Sequence, residues 1–226
     1  MFRTRFMQGA ALFALLAPPL FGSCTADSVS LSVKCALLAE APDCEYSESS
    51  VCSLGGTLNL AAKSSYDTVL LVTNGLKPRA RDVPPQSEPN GVYVYELEVE
   101  VKDSANRKPN LGNLPNPFTV PANGFAEPGE DAVVGAELLP PVYVARILAN
   151  EGTPRALGSA RLSITARGRT AGRVEVETQP WTWTVRLFSL SLDAADGVCL
   201  KKEDEVCSIG QDNEAATCFQ TGDDST

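Results

Sequence analysis

The sequence contains no histidine. That absence removes the Ser-His-Asp and Cys-His nucleophile arrangements, together with every metal site built on imidazole. It also lacks a CxxC pair, an SxxK serine, a GxSxG elbow and a GxxxxGK phosphate loop, so zinc ribbons, lysine-activated serines, hydrolase elbows and P-loops have no footing. Asp193 and Asp196-Gly197 fall short of the ligand count of a calcium loop. Basic residues are few beside acidic ones, 19 against 28, for a formal net charge of −9. A surface this acidic is repelled by phosphate backbones, which argues against nucleic acid as a partner. No cofactor and no metal are expected, and the chain reads as a non-enzyme. Catalysis would have to rest on carboxylates alone, as in a glycosidase, whose pair is defined by separation in space.

What is present begins with a leader. Arg3 and Arg5 precede an apolar run from Gly9 to Ala17, then Pro18-Pro19, and Leu20-Phe21-Gly22-Ser23 leads into Cys24. This order predicts a lipoprotein-type signal peptide over residues 1–23, with Cys24 as the acylated first residue of the mature chain. The run is shorter than the about 20 apolar residues of a spanning helix, and no later segment supplies them. Phe21 stands where such leaders usually carry Leu, so the competing outcome is ordinary signal-peptidase cleavage after Ala26. Two or more acyl chains would hold the protein firmly to a membrane surface. Thr25, in place of a retention Asp, points to the outer membrane of the cell envelope. Removing residues 1–23 takes away two arginines and no acid, so the charge deepens to −11.

The remaining cysteines fall into two odd groups, Cys35, Cys44 and Cys52 near the front and Cys199, Cys207 and Cys218 near the back. Export favours their oxidation. Two odd groups are exhausted only if at least one bridge joins them, whichever of the 15 connectivities is realised. Even the smallest such loop, Cys52 to Cys199, is expected to stabilise by about 4 to 5 kcal/mol through the entropy it removes from the unfolded chain. Front and back then belong to one body: a short tether and first strand over 24–34, a single domain over 35–218 and an acidic tail over 219–226.

Between the clusters the pattern is β. Over Val92 to Lys102, Tyr93, Tyr95, Leu97, Val99 and Val101 alternate with Val94, Glu96, Glu98 and Glu100, which predicts a half-buried strand with the first set inward. Tyr66 to Thr73 is apolar on both parities and predicts a strand covered on both faces, closed by Asn74-Gly75. Further strands are expected at Val29 to Cys35, Thr57 to Ala62, Phe118 to Val120, Val142 to Leu148, Ala160 to Ala166, Arg173 to Thr178 and Trp181 to Leu192. Single helical turns are expected at Ala36 to Ala41 and Glu214 to Cys218. With no long amphipathic helix, the set predicts an all-β antiparallel sandwich, immunoglobulin-like or similar, with disulfide-linked termini. The connections Leu76 to Pro89 and Asp103 to Pro117 are longer than hairpins need, and are read as loops on a rigid scaffold.

Two features offer binding surfaces. Trp181 and Trp183 share one face of a strand, and an exposed pair could stack on sugar rings. Val185 and Leu187 continue that face, which favours a core position. The hairpin carrying Arg161, Arg167, Arg169 and Arg173 holds no acid and could meet an anionic partner. The alternative is cross-strand pairing with Glu96, Glu98 and Glu100.

The run Gly168-Arg169-Thr170-Ala171-Gly172, then Val174-Glu175-Val176-Glu177-Thr178, the strand Trp181 to Val185 and Val198-Cys199-Leu200 resemble the C-terminal part of uncharacterised exported lipoproteins abundant in myxobacteria. Cys52-Ser53-Leu54-Gly55-Gly56 and the strand Tyr66 to Asn74 are similar to the start of the same family. The resemblance implies one lipid-anchored β-sandwich and transfers no functional residue. The expectation is a membrane-tethered binding or structural module that engages an envelope protein or a surface glycan. A carboxylate hydrolase and a subunit of a secretion or motility assembly are the alternatives.

Overall fold

Alternating burial along extended segments decides the architecture. Among the described residues the strands are β1 (Leu31–Leu37), β2 (Cys52–Ser53), β3 (Gly56–Asn59), β4 (Tyr66–Asn74), β5 (Val92–Lys102), β6 (Phe118–Ala126), β7 (Asp131–Leu139), β8 (Ser159–Thr170), β9 (Glu175–Glu177), β10 (Trp181–Phe188), β11 (Lys201–Lys202) and β12 (Phe219–Gln220), and one helix, α1 (Pro141–Glu151), lies between β7 and β8. The structure, a computed structural model, describes residues 30–40, 43–79, 88–151, 158–189, 201–202, 207–208, 211–212 and 219–220. Cys24, Cys199, Cys218 and the expected turn at Glu214 to Cys218 lie outside them.

Ten strands form one sheet in the order β2-β1-β4-β7-β6-β5-β8-β10-β3, with β9 paired to β8, and β11-β12 make a separate pair. Pairing within the large sheet is antiparallel except between β10 and β3. Its two terminal strands, β2 and β3, are consecutive in the chain, with only Leu54 and Gly55 between them. Three Cα steps span at most about 11 Å, so the covalent chain draws the ends of the sheet together. The sheet accordingly curls nearly into a barrel.

The inward faces meet in one core built from Tyr66, Leu70 and Val72 of β4, Leu97, Val99 and Val101 of β5, Leu162 and Ile164 of β8, and Trp183, Val185 and Leu187 of β10. Each such side chain contributes about 1.5–3 kcal/mol by leaving water. The double-sided burial expected of β4 is present: its outward Leu71 packs with Cys35 and Leu37 in a smaller cluster.

Three departures from the sequence pattern have physical causes. Val142 to Leu148 is helix, not strand. Pro141 occupies the first helical position, where a missing N–H costs nothing, and Tyr143, Val144 and Ile147 fall on one buried face at helical spacing. Tyr143 stacks on Phe118 at 3.8 Å between ring centroids, and the buried face of α1 thereby joins the main core. Strand β7 was not expected, because Gly135 and Ala136 dilute its pattern. It is paired to β4 over eight residue pairs, Tyr66↔Leu139 to Thr73↔Asp131. Ala36 and Leu37 extend β1 and form no helical turn. The short strands β2, β11 and β12 were not expected either, and the remaining strands shift only at their ends: β6 runs on to Ala126, β3 stops at Asn59, β9 spans Glu175–Glu177 and β10 ends at Phe188.

Among the described residues two disulfides are present. Cys35–Cys52 ties β1 to β2, and Cys44–Cys207 joins the front of the chain to its back across 163 residues. The bridge between the two cysteine groups is therefore real. A polar clasp supports it. Tyr66, fully buried, donates its hydroxyl to Asp212 Oδ1 at 2.9 Å and accepts the Trp183 indole N–H at 3.2 Å. Thr57 N donates to the same Asp212 oxygen at 3.2 Å, and Gln211 Oε1 accepts from Asp67 N at 3.1 Å and from Lys63 Nζ at 3.0 Å.

Candidate functional site

The outer face of β5, β8 and β9 collects the exposed aromatic and charged side chains. Its geometry comes from one β-bulge. On β5, Val92 and Val94 point inward, but the inward set then changes parity to Leu97, Val99 and Val101. The register against β8 skips from Val94↔Gly168 to Glu96↔Arg167, leaving Tyr95 as the extra residue. Tyr93 and Tyr95 therefore face solvent, at 48% and 43% exposure, and do not enter the core as strict alternation predicts. Tyr93 packs its ring against Phe125 of β6 at 4.5 Å. Gly168 permits the close approach of β8, since a Cβ there would stand 2.9 Å from the Tyr93 carbonyl oxygen.

Charged groups frame this platform. Glu175 accepts from Tyr95 Oη at 3.1 Å and from Arg169 Nε at 2.6 Å. Arg167 donates to Glu96 at 3.1 Å and to Glu98 at 2.7 Å, and reaches Glu177 at 3.7 Å. Partial burial, then the hydrogen bond to Glu175, raise the Tyr95 hydroxyl above its ordinary range. The Arg169 guanidinium, with help from Tyr95, holds the Glu175 carboxyl below its own. Hydrogen bonding to Glu96, reinforced by the charges of Glu98, Glu96 and Glu177, raises Arg167 further. At neutral pH the face thus presents fixed donors, fixed acceptors and two aromatic rings beside one another. A depression of about 490 Å³ lined by Tyr93, Tyr95, Arg169, Thr170 and Ala171 lies among them.

The four arginines singled out in the sequence do not act as one group. Arg167 is committed to the glutamates of β5, and Arg169 to Glu175. Arg173 sits in the β8–β9 turn with a left-handed φ of 68°, and Arg161 lies at the far end of β8 beside Lys102. Trp183 is buried and Trp181 packs against the same core, their rings stacked at 5.2 Å. They support the platform's sheet from inside and are not part of its exposed surface. Tyr93, Tyr95 and Phe125 were the aromatics that sequence reasoning missed. The available signal was the break in charge pattern at Tyr95-Glu96, where an extra residue displaces the phase.

Among the described residues there is no cluster of three His, Cys, Asp or Glu able to hold a metal ion. No described helix is long and apolar enough to cross a membrane. The chain matches no family model and no curated protein sequence.

Proposed function

We propose that the protein is an envelope lipoprotein, anchored through Cys24, that works as a non-catalytic binding module for a surface glycan through the platform Tyr93, Tyr95, Phe125 and Arg169. The observation that carries this reading is the bulge at Tyr95, which turns two tyrosines outward on a strand whose inward positions remain filled. Exposed aromatic rings offer apolar faces to the C–H side of a sugar, and Glu175 and Arg169 offer an acceptor and donors to its hydroxyls. The Cys44–Cys207 bridge fits an exported protein and a single domain over 35–218. Likeness to the myxobacterial exported lipoproteins points the same way. As the finer form of the fold we propose an antiparallel sandwich, immunoglobulin-like or similar; the narrow junction of β6 with β7, paired at Asn123↔Gly135, supports it.

The full chain in detergent, screened against immobilised polysaccharides, is expected to bind at least one class. Tyr93→Ala and Tyr95→Ala should each weaken that binding by about tenfold, the scale of an aromatic anchor at an interface. Binding indifferent to both substitutions, or absent from every class, refutes the platform.

A further inference from the structure

Beyond Glu98 the outer face changes character. Ser163 and Thr165 of β8 lie beside Thr182 and Thr184 of β10 and form a lane of hydroxyl side chains. The lane ends in cations. Lys102 stands directly opposite Arg161, Arg161 opposite Thr184, and Arg186 follows two residues further along β10 on the same exposed face. Like charges placed opposite each other across an antiparallel pair are destabilising, and diagonal neighbours lie within reach of long side chains. Lys102 and Lys108 share Glu100 at 3.0 and 2.8 Å, and Arg107 is held by Asp103 at 2.9 Å. Among the described residues neither Arg161 nor Arg186 has an acidic partner.

The contrast within one face is what makes this end informative. Arg167 is met by three glutamates and Arg169 by one. At the far end, among the described residues, five cations, Lys102, Arg107, Lys108, Arg161 and Arg186, meet two carboxylates, Glu100 and Asp103, in a chain whose net charge is −9. A local excess of positive charge on an acidic protein attracts an anion selectively, because the rest of the surface repels it. Next to this end, under the loop that follows β5, a recess of about 370 Å³ is lined by Lys102, Asp103, Arg107, Lys108, Ile147 and Ser159 among others; Arg161 and Arg186 do not line it.

We infer that the basic end binds the anionic substituents of a glycan, so that the ligand of this face is an acidic polysaccharide, stacked at Tyr93 and Tyr95 and neutralised at Arg161 and Arg186. The inference rests on the glycan-binding reading and gives it a substrate class. Tyr93 and Lys102 are nine residues apart on one strand, about 30 Å at the usual rise, a span that suits an extended polymer and not a single sugar. Carboxylate, sulfate and phosphate substituents share the chemistry that two exposed guanidinium groups recognise.

The test pairs each anionic polymer with its neutral counterpart: dextran sulfate with dextran, and polygalacturonate with its methyl ester, each measured against the full chain in detergent. At least one anionic member should bind tenfold or more tightly than its neutral partner, and the preference should shrink as salt is raised. In the double variant Arg161→Gln with Arg186→Gln the preference should fall to about one, while the melting temperature stays at or above that of the wild type because repulsion is relieved. Equal binding of charged and neutral partners overturns the inference and leaves the platform standing. A preference untouched by the double variant also overturns it. Charge-dependent binding that ignores Tyr93→Ala removes the platform and keeps the basic end, whereas no binding to any polymer defeats both. Stronger competition by polyglutamate than by either polysaccharide would replace the glycan with an acidic protein.

Discussion

Replacing Tyr66 by Phe removes one oxygen from the interior and should be among the most damaging conservative changes in the chain. The hydroxyl is the acceptor for the buried Trp183 N–H and a donor to Asp212. Without it the indole N–H loses its partner at a cost of about 1–3 kcal/mol, and Asp212 loses a charge-assisted bond worth about 1.5–3 kcal/mol. Since a single group serves both, the two losses do not simply add, and about 3 kcal/mol is the expected total. For a chain of this size that corresponds to a fall in Tm of about 10 °C. Urea unfolding followed by tryptophan fluorescence reads it directly. A loss below about 1 kcal/mol would mean that the clasp between β4, β10 and the Gln211-Asp212 segment is not formed.

The same clasp gives a pH signature with a definite sign. Burial raises the Asp212 carboxyl above its ordinary value of 3.8, against the lowering effect of Gln211, Tyr66, Thr57 and Lys63. The folded state therefore holds this proton more tightly than the unfolded state does. The contribution is fully present below the unfolded value and is lost as pH rises through the folded one. The stability of the wild type minus that of Asp212→Asn should decline over that interval and flatten above it. A difference that rises with pH would contradict the assignment. Removing both Cys44 and Cys207 by serine substitution should cost up to about 5 kcal/mol, from the entropy of a loop 163 residues long, read by urea midpoint under non-reducing conditions. Reduction of the wild type, which opens Cys35–Cys52 as well, should cost at least as much. Gly56→Ala places a Cβ 2.3 Å from the Tyr66 hydroxyl and 3.0 Å from Trp183 Nε1, so it should cost about 1–3 kcal/mol by overpacking and lower Tm without altering the far-ultraviolet spectrum.

Much of this architecture is legible in the chain, because alternation is a local property. The bounds Val92–Lys102 of β5 follow from it directly, as does the start of β4 at Tyr66. The partnership of Arg167 with Glu96 and Glu98 follows from charge complementarity on neighbouring strands. What escaped depends on phase, on small residues or on distance. A period-two reading has no place for the extra residue at Tyr95, so it assigned both tyrosines to the interior. The run Val142 to Leu148 is too short for apolar content to separate strand from helix, and Pro141 was the deciding mark. Strand β7 hides behind Gly135 and Ala136, and its evidence lies in its partner β4. The clasp joins Tyr66 to Asp212 across 146 residues, and no local pattern announces such a contact.

The outward turn of Tyr93 and Tyr95 and their use on a ligand stand at the centre of the account. Labelling the tyrosine rings with ¹³C and titrating the full chain with the polysaccharide that binds best should move the Tyr93 and Tyr95 ring resonances while Tyr66 and Tyr143 stay in place. Shifts confined to Tyr46, or spread over no tyrosine at all while binding persists, would contradict it.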